Sequence, residues 1–326
     1  MGHFIGIDLG GTKIAAIAYE ADAQRVIYKH TVPTDRQQGS DAVVAQMIEL
    51  SQAIADGAGW PRDQISGVGV GVPATVDYDI GTTIMLPNIP GDWVDKPVAP
   101  TMQAVLGCPV ALINDARAFT LAEATLGAGR DYPVVAGVTL GTGIGGGIAI
   151  DGKLFLGMEG SAGEFGHMSI DYGDLPDGSG TPGGLERYSS GPAIAAAAIK
   201  YVVQGADTSI GALVDYDLNK ITPHVVAQAA DDGDEVAQDI LYQAGIRLGA
   251  GLSVVLGVLN PHAMVIGGGM ANLGERILGP MREGLKIYNR TTSVDKLAIV
   301  PAELDDAGSI GAALWAKQHV ERLGRS

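Results

Sequence analysis

Cysteine and positive charge are both scarce in this chain. Cys108 is the single cysteine among 326 residues, which excludes a disulfide framework within the chain and a metal site built from several thiolates. Lys and Arg number 21 against 37 Asp and Glu, for a formal net charge of −16. That balance argues against nucleic acid or an anionic membrane as the principal partner. A phosphate ligand would therefore have to be held by a few local groups.

Long apolar runs and low-complexity linkers are also missing. No uninterrupted apolar run approaches about 18 residues, and the opening MGHFIGIDLGG shows neither a basic leader nor an apolar signal core. With 46% hydrophobic residues the chain can bury a large core, and its length favours two domains. We therefore expect a soluble, cytoplasmic protein of two domains.

Glycine, by contrast, is abundant, with 48 residues, about twice the usual share. The segments FIGIDLGGTKIAAIAY and, from Val134, VVAGVTLGTGIGGGIAIDGKLF share one pattern, a β-rich run, a glycine turn and a second β-rich run. Each predicts a hairpin that opens one half of the chain. Strands alternate with helical segments elsewhere, which predicts α/β layers with helices on both faces of each sheet. The pattern places the boundary between the halves near Ala116.

The glycine turns are candidate phosphate sites. In IDLGGTK, Asp8 ends a strand, backbone N–H groups of the turn can face an anion, and Thr12 and Lys13 can add donors. The alternative is an ordinary hairpin turn with an exposed lysine, but the repetition of the pattern favours phosphate binding. The second turn, LGTGIGGG, contains G-x-G-x-x-G, yet a hairpin pattern rather than a helix follows it, which argues against a dinucleotide fold. A third glycine turn, in HAMVIGGGM, suits close approach by adenosine, although such a turn is more often a simple strand-to-helix connection.

Polar side chains gather where predicted strands and helices end. Asn114 and Asp115 follow the strand PVALI and start a helix, at the edge where ligands of open α/β sheets bind. The alternative makes Asp115 a helix N-cap only. Further polar candidates lie in loops or at element ends: Asn88, Glu164, His167 and Glu186. Their alternatives are a surface or capped histidine at His167 and a solvated first helical turn at Glu186.

The motifs IDLGGTK, PNIPGDW, IND, LGTGIGGG, GEFGH, LERYSSG and VIGGGM, in this order and spacing, resemble those of the ROK family of bacterial sugar kinases over essentially the whole chain. The resemblance implies an α/β, actin-like (ribonuclease H-like) sugar kinase fold with two α/β lobes around a central cleft. The small lobe would comprise residues 1–116, completed by a C-terminal helix at about 307–323, and the large lobe residues 117–306. The family also contains sugar-sensing repressors with an added N-terminal DNA-binding domain. Because this chain begins directly with the first strand, we expect the kinase branch.

The resemblance implies ATP-dependent phosphorylation of a hexose at its terminal (6-) hydroxyl, with glucose as the first candidate. Alternatives are a kinase for fructose, mannose or an N-acetylhexosamine, or, from another class, a non-catalytic sugar-binding regulator. Asp115 resembles the catalytic base. The implied sugar-binding residues are Asn88, Asn114, Asp115, Glu164, His167 and Glu186. The implied ATP-binding residues are Asp8, Gly10, Gly11, Thr12, Lys13, Gly141, Thr142, Gly143, Gly267, Gly268 and Gly269. Asp8 would help to hold Mg²⁺ through water, and a homodimer is expected because dimers are usual among such proteins.

The chain departs from the family pattern in two places. Most members carry three cysteines between GH and LE, which with the histidine bind a structural zinc; the matching positions here are Asp177, Ser179 and Gly184. The departure implies that no structural zinc is bound and that His167 serves the sugar alone. Without that cross-link, we expect the loop Met168–Gly184 to be mobile until sugar binds. Ala74 and Thr75 stand where the family usually has Gly-Pro, near the sugar, which leaves the preferred sugar open.

Overall fold

The computed structural model describes residues 2–86 and 89–324 and divides into two compact units. Unit 1 runs from the N-terminus to Pro133 and takes in Gly147–Ala162 and the C-terminal segment from Glu303. Unit 2 comprises Val134–Gly146 and Gly163–Ala302. The domain boundary near Ala116 stays a prediction; the first compact unit of the structure extends beyond it.

Unit 1 is built around one sheet with helices packed against it. Its elements are β1 (His3–Leu9), β2 (Lys13–Glu20), β3 (Arg25–Pro33), α1 (Ser40–Ala58), β4 (Ile65–Val72), β5 (Thr75–Asp77), β6 (Thr82–Met85), α2 (Val98–Leu106), β7 (Val110–Asn114), α3 (Asp115–Thr125) and, after the segment in unit 2, α9 (Ala307–Leu323). The strand order is β3-β2-β1-β4-β7. Strands β1 to β3 pair antiparallel, whereas β1, β4 and β7 are parallel. The carboxyl ends of β1, β4 and β7 therefore lie at one edge of the sheet.

Glycines let α9 lie directly on this sheet. A Cβ at Gly6 would come within 1.9 Å of the Ser309 carbonyl oxygen, and one at Gly69 within 1.8 Å of the Ala312 carbonyl oxygen. A Cβ less than 3 Å from a backbone atom would clash, and the backbone of α9 cannot move aside as a side chain could. Strands β1 and β4 therefore need glycine where α9 crosses them. At these two positions glycine is thus required by backbone-to-backbone packing.

Unit 2 combines a second sheet with a helical layer. Its elements are β8 (Val134–Leu140), the start of β9 (Ile144–Ile150), α4 (Glu186–Ser189), α5 (Gly191–Val203), α6 (Pro223–Asp231), α7 (Glu235–Leu259), β11 (Ala263–Gly267), α8 (Glu275–Tyr288) and β12 (Ala298–Pro301). The sheet order is β10-β9-β8-β11-β12, where β10 is Lys153–Leu154. Because β8, β11 and β12 are parallel, the glycine turns that follow β8 and β11 emerge at the same edge.

Helix α7 is the central helix of unit 2. It packs on α8 through Gly249 and Gly284, where added Cβ atoms would lie 2.2 Å and 2.5 Å from carbonyl oxygens of the facing helix. Within the described ranges, α7 is the one helix long and apolar enough to cross a membrane, and 61% of its most apolar window is buried inside the protein. Such burial is what the core helix of a globular unit shows.

Candidate active site

The junction of β7 and α3 holds the predicted catalytic carboxylate. The Asn114 side chain caps α3, because its Oδ1 accepts hydrogen bonds from the N–H groups of Ala116 (3.1 Å) and Arg117 (3.2 Å). Its Nδ2 donates to the Ala74 carbonyl oxygen at 3.3 Å. Asp115 is the first helical residue and not the N-cap, although its Oδ1 also accepts from the Ala116 N–H at 2.8 Å; its catalytic role stays a prediction. One Asn114 amide hydrogen can still serve a ligand.

Two aromatic residues that the motifs did not indicate support this junction. The Tyr78 hydroxyl accepts from the Asn114 N–H at 3.4 Å, and the Tyr78 ring meets the Trp315 ring edge-on with centroids 5.6 Å apart. Trp315 in turn donates from Nε1 to the Leu112 carbonyl oxygen at 2.8 Å. The backbone at the end of β7 is therefore hydrogen-bonded to two side chains of unit 1 that also contact each other. No motif signal could have found them, since their role depends on distant chain segments meeting.

Asp8 lies at the same edge of the sheet as this junction. In the strand register Asp8 pairs with Gly71, and the next residue of β4, Val72, pairs with Asn114. Burial raises the pKa of Asp8 to about 6, against the lowering effect of the Lys13 charge. A Cβ at Gly308 would lie 2.6 Å from Asp8 Oδ2, so a larger residue at the start of α9 would displace the Asp8 carboxylate.

The first glycine turn is a tight hairpin, as predicted. The Gly10 N–H donates to the Lys13 carbonyl oxygen at 2.9 Å. Thr34 braces the turn by donating from Oγ1 to the Gly10 carbonyl oxygen at 2.7 Å and from its N–H to the Thr12 carbonyl oxygen at 3.0 Å. In the described part of the chain, the N–H groups of Gly11 and Thr12 have no backbone acceptor. The turn thus uses the Gly10 N–H internally and leaves the next two N–H groups available to an anion.

The glycine turns of unit 2 contact one another. The Gly141 N–H donates to the Gly143 carbonyl oxygen at 2.9 Å, and the Gly191 N–H, at the start of α5, donates to the Gly141 carbonyl oxygen at 2.8 Å. Gly268 has a φ of +87°, and a Cβ there would lie 2.3 Å from the Leu140 carbonyl oxygen. The turns at Gly141–Gly143 and Gly267–Gly269 therefore lie next to each other, and the start of α5, which no motif indicated, contacts the first of them.

Three predicted sugar-binding side chains meet in unit 2. The Glu186 carboxylate lies with Oε1 3.8 Å from His167 Nδ1 and with Oε2 3.4 Å from the Ile144 N–H. Glu164 immediately precedes the short 3-10 turn that ends at His167, and its carbonyl oxygen accepts from the His167 N–H at 3.2 Å. These side chains are half-buried. Asn88, also predicted to bind sugar, lies outside the described residues.

Asp177 lies in this group, although no sequence motif indicated a role for its side chain. His167 Nδ1 and Asp177 Oδ2 are 2.8 Å apart. Burial opposes ionisation of Asp177, but hydrogen bonds from His167, Ser179 and Thr181 outweigh it and hold the pKa of Asp177 below its usual range. Burial would also lower the pKa of His167, but the hydrogen bond to Asp177 and the nearby carboxylates raise it above its usual value.

The residues present do not fit a structural zinc site. Potential ligand atoms of His167, Asp177 and Glu186 lie within 4.8 Å of one another. Two ligands of one tetrahedral zinc ion are about 3.4 Å apart at ordinary bond lengths, whereas His167 Nδ1 and Asp177 Oδ2 are at hydrogen-bond distance, 2.8 Å. The set also lacks a thiolate and a fourth side-chain ligand. This geometry is that of a hydrogen-bonded pair beside a second carboxylate.

The chain is similar to known proteins over nearly all of its length. A profile of the ROK family matches residues 4–319. The glucokinase of Streptomyces coelicolor is 33% identical, over 98% of this chain and 98% of that protein. The N-acetyl-D-glucosamine kinase of Pectobacterium atrosepticum is 32% identical, over 95% of this chain and 98% of that protein. Among solved structures, a ROK family glucokinase from Streptomyces griseus in complex with glucose and AMPPNP superposes with a TM-score of 0.81 at 32% identity, over 97% of this chain and 100% of that chain.

These similarities agree with the architecture of each unit. The predicted α/β, actin-like sugar kinase fold is confirmed by the similarity to the solved structure, and the motif order that suggested it is confirmed by a family match across the chain. The chain belongs to the ROK family.

Proposed function

We propose that the chain transfers the γ-phosphoryl group of ATP to the terminal (6-) hydroxyl of a hexose, with glucose as the first candidate. Its membership of the ROK family and its similarity to glucokinases support sugar kinase activity. The observation that carries the mechanism is local: Asn114, not Asp115, caps α3. The Asp115 carboxylate also accepts from the Ala116 N–H through Oδ1, at 2.8 Å, which orients it at the start of α3, at the edge of the sheet where a substrate would bind.

Asp115 acts as general base in this proposal. It takes the proton of the sugar hydroxyl as the hydroxyl oxygen forms a bond to the γ-phosphorus and the bond to the leaving ADP oxygen breaks. The N-terminus of α3 favours the ionised, proton-accepting form of a carboxylate at this position. Positioning carries most of the rate in phosphoryl transfer, which gives the Tyr78 and Trp315 contacts beneath the junction a direct bearing on catalysis.

The sugar would be held by groups suited to hydroxyls. Glu164 and Glu186 accept hydrogen bonds, His167 can donate or accept, and the second amide hydrogen of Asn114 donates. Asn88 belongs to this proposed set as well, by its motif alone. The contact of Asn114 with Ala74 ties one sugar-binding residue to a position where the chain departs from the family. Because this contact is made by the backbone carbonyl oxygen of residue 74, it supports the orientation of Asn114 and leaves the preferred hexose open.

ATP would be held by the glycine turns. The N–H groups of Gly11 and Thr12, with the Lys13 ammonium and the turn Gly141–Gly143, would neutralise phosphate charge, and Gly267–Gly269 would border the adenosine. Asp8 fits a Mg²⁺ ion, because Asp8 is a single, poorly solvated carboxylate and Mg²⁺ is commonly held by one or two carboxylates plus water. When bound, Mg²⁺ would neutralise developing phosphate charge. A homodimer and a cytoplasmic location stay predictions.

An ADP-release assay with Mg-ATP over a panel of sugars tests this function. We expect release that depends on a hexose, with glucose turned over at the highest kcat/KM. The matched control is 6-deoxyglucose, which lacks the accepting hydroxyl and should inhibit without releasing ADP. Preference for fructose, mannose or N-acetylglucosamine would move the substrate to one of the alternatives; similarity to an N-acetyl-D-glucosamine kinase supports the last of these. Sugar binding without turnover of any panel member would favour a regulator instead.

A further inference from the structure

The Asp177 carboxylate is the most heavily bonded side chain of the loop between His167 and Glu186. Its Oδ1 accepts from the Ser179 N–H (2.8 Å), the Ser179 hydroxyl (2.6 Å) and the Thr181 N–H (3.0 Å), and its Oδ2 faces His167 Nδ1 at 2.8 Å. The Asp177 side chain is 1% exposed, although the loop around it is open to solvent, with Tyr172 96% exposed. One carboxylate thus links the histidine to the far side of the loop.

Glycine makes room for this carboxylate. A Cβ at Gly184 would lie 2.1 Å from Asp177 Oδ2, so the loop can close over the carboxylate only with glycine at that position. Backbone bridges pair Ser169 with Gly184 and Pro176 with Pro182. The loop therefore folds back on itself around Asp177 and returns the chain to Glu186.

We propose that Asp177 is a positioning residue which takes the place of a metal cross-link, fixing both the loop and the tautomer of His167. An ionised carboxylate only accepts hydrogen bonds, so the His167 nitrogen that faces it, Nδ1, carries the proton. In the neutral imidazole, Nε2 is then an acceptor. The consequence for sugar binding rests on the proposed function: His167 accepts a hydrogen bond from a sugar hydroxyl.

The contacts of His167 support this assignment. The charged groups that face it are Asp177, Glu186 and Glu164, all carboxylates. Of these, Asp177 lies within hydrogen-bond distance of Nδ1, whereas Glu186 lies 3.8 Å away. Because Asp177 is held by three further donors, it cannot follow a moving histidine, and the ring is oriented by the loop rather than the reverse.

Nitrogen NMR of histidine-labelled protein tests the tautomer without any need for activity. At pH above the titration of His167, we expect wild type to carry its proton on Nδ1. Asp177→Asn places an amide donor opposite Nδ1 and should move the proton to Nε2. Asp171→Asn changes an exposed carboxylate of the same loop, whose Oδ1 accepts from the Gly173 N–H at 3.1 Å, and should leave the tautomer unchanged. A wild-type Nε2–H tautomer, or an unchanged tautomer in Asp177→Asn, would overturn the proposal.

Steady-state kinetics test the consequence for the sugar. In Asp177→Asn we expect KM for the sugar to rise about tenfold, the lower end of the effect seen for partners that orient metal-bound histidines, while KM for ATP changes less than about twofold. Asp171→Asn should match wild type. Equal changes in both KM values would contradict positioning at the sugar. Should wild type phosphorylate no sugar, the proposed function fails, and the NMR result still decides the role of Asp177.

A second variant tests the hold of Asp177 on the loop even if Asp177→Asn fails to fold. Ser179→Ala removes the hydroxyl donor to Asp177 Oδ1 but leaves the His167 pair in place. Amide hydrogen exchange of residues 168–184 should speed up in this variant while the His167 tautomer stays on Nδ1. Unchanged exchange in both Ser179→Ala and Asp177→Asn would show that Asp177 does not hold the loop.

Discussion

Burial penalises the ionised form of both Asp8 in unit 1 and Asp177 in unit 2, yet their pKa values move in opposite directions. Burial raises the pKa of Asp8 to about 6, with only the Lys13 charge opposing it. Burial also penalises ionised Asp177, but hydrogen bonds from His167, Ser179 and Thr181 outweigh it and keep its pKa low. The hydrogen-bond partners and nearby charges of a carboxylate, and not burial alone, thus decide whether its pKa rises or falls.

The difference separates two uses of a carboxylate. Asp177 has its hydrogen bonds supplied by the protein, so its charge holds structure together. Asp8 is poorly compensated, and a poorly compensated carboxylate at a sheet edge suits a ligand that brings its own positive charge.

The largest effect is expected at Asp115. Asp115→Asn preserves the shape of the side chain but removes its basicity, so kcat should fall by about 10²-fold or more while sugar binding measured by calorimetry stays near wild type. The matched comparison is Asp115→Glu, which keeps the base and should retain more activity. Wild-type turnover in Asp115→Asn would place Asp115 among structural carboxylates.

Asp8→Asn should reduce activity and yet raise stability. Because the folded-state pKa of about 6 lies above the unfolded value of about 3.9, ionised Asp8 costs folding free energy above pH 6. The cost disappears as pH falls below both values. Without Mg²⁺ and nucleotide, the variant should therefore be more stable than wild type at pH 8, by at most about 3 kcal/mol and by less because the side chain is partly exposed.

Urea unfolding of wild type and Asp8→Asn at pH 8 and pH 5 measures this difference, and kcat with Mg-ATP measures the loss of function. We expect the stability gain to shrink at pH 5. A variant less stable than wild type at pH 8 would show that Asp8 is a structural carboxylate like Asp177.

Glu186→Gln and Thr12→Val separate sugar contacts from nucleotide contacts. Glu186→Gln replaces an acceptor of hydroxyl hydrogen bonds by a mixed donor and acceptor, so KM for the sugar should rise, by about tenfold, with little change for ATP. Thr12→Val removes a hydroxyl beside the first glycine turn and should raise KM for ATP instead. Equal effects of both changes on both substrates would contradict the assignment of the two sites.

Zinc removal should have no effect. Elemental analysis of purified protein is expected to find no stoichiometric zinc, and a zinc-selective chelator should change neither the melting temperature nor the activity at saturating Mg²⁺. The hydrogen bonds of Asp177 would then hold the loop that a structural zinc holds in most members of the family. About one zinc per chain would show that Asp177 is a ligand and not a hydrogen-bonding partner.

The mobility expected of the loop Met168–Gly184 in the absence of sugar stays a prediction. The bonds around Asp177 restrain the middle of the loop, while Tyr172 and its neighbours are exposed. Hydrogen exchange with and without glucose will show which part of the loop responds. Slowed exchange confined to residues near His167 would show that sugar orders that end of the loop and leaves the exposed residues around Tyr172 unchanged.

Local pattern was enough to predict many elements of the fold and their junctions. The hairpin at Gly10–Lys13 is confirmed, because a glycine turn between β-rich runs has few other solutions. The helix at residues 307–323 is present as α9. The sequence also placed Asp115 at the start of a helix, but it could not tell which of two adjacent polar residues would cap that helix. In the structure Asn114 caps the helix, and its amide nitrogen also donates to the carbonyl oxygen of Ala74, forty positions earlier in the chain.

What the sequence determined by itself was the order of its strands, turns and motifs, since each depends on neighbours within a few residues and on side-chain chemistry. Its ordered motifs also determined the family and the list of polar candidates. Only the tertiary structure decided how those candidates are used. The environment of Asp8 depends on Gly308, which α9 brings back across 300 residues of chain. The role of Asp177 depends on His167, Ser179, Thr181 and Gly184 closing around one carboxylate. Burial and hydrogen-bond partners set the charge state of a side chain, and both are properties of the folded chain rather than of its local sequence.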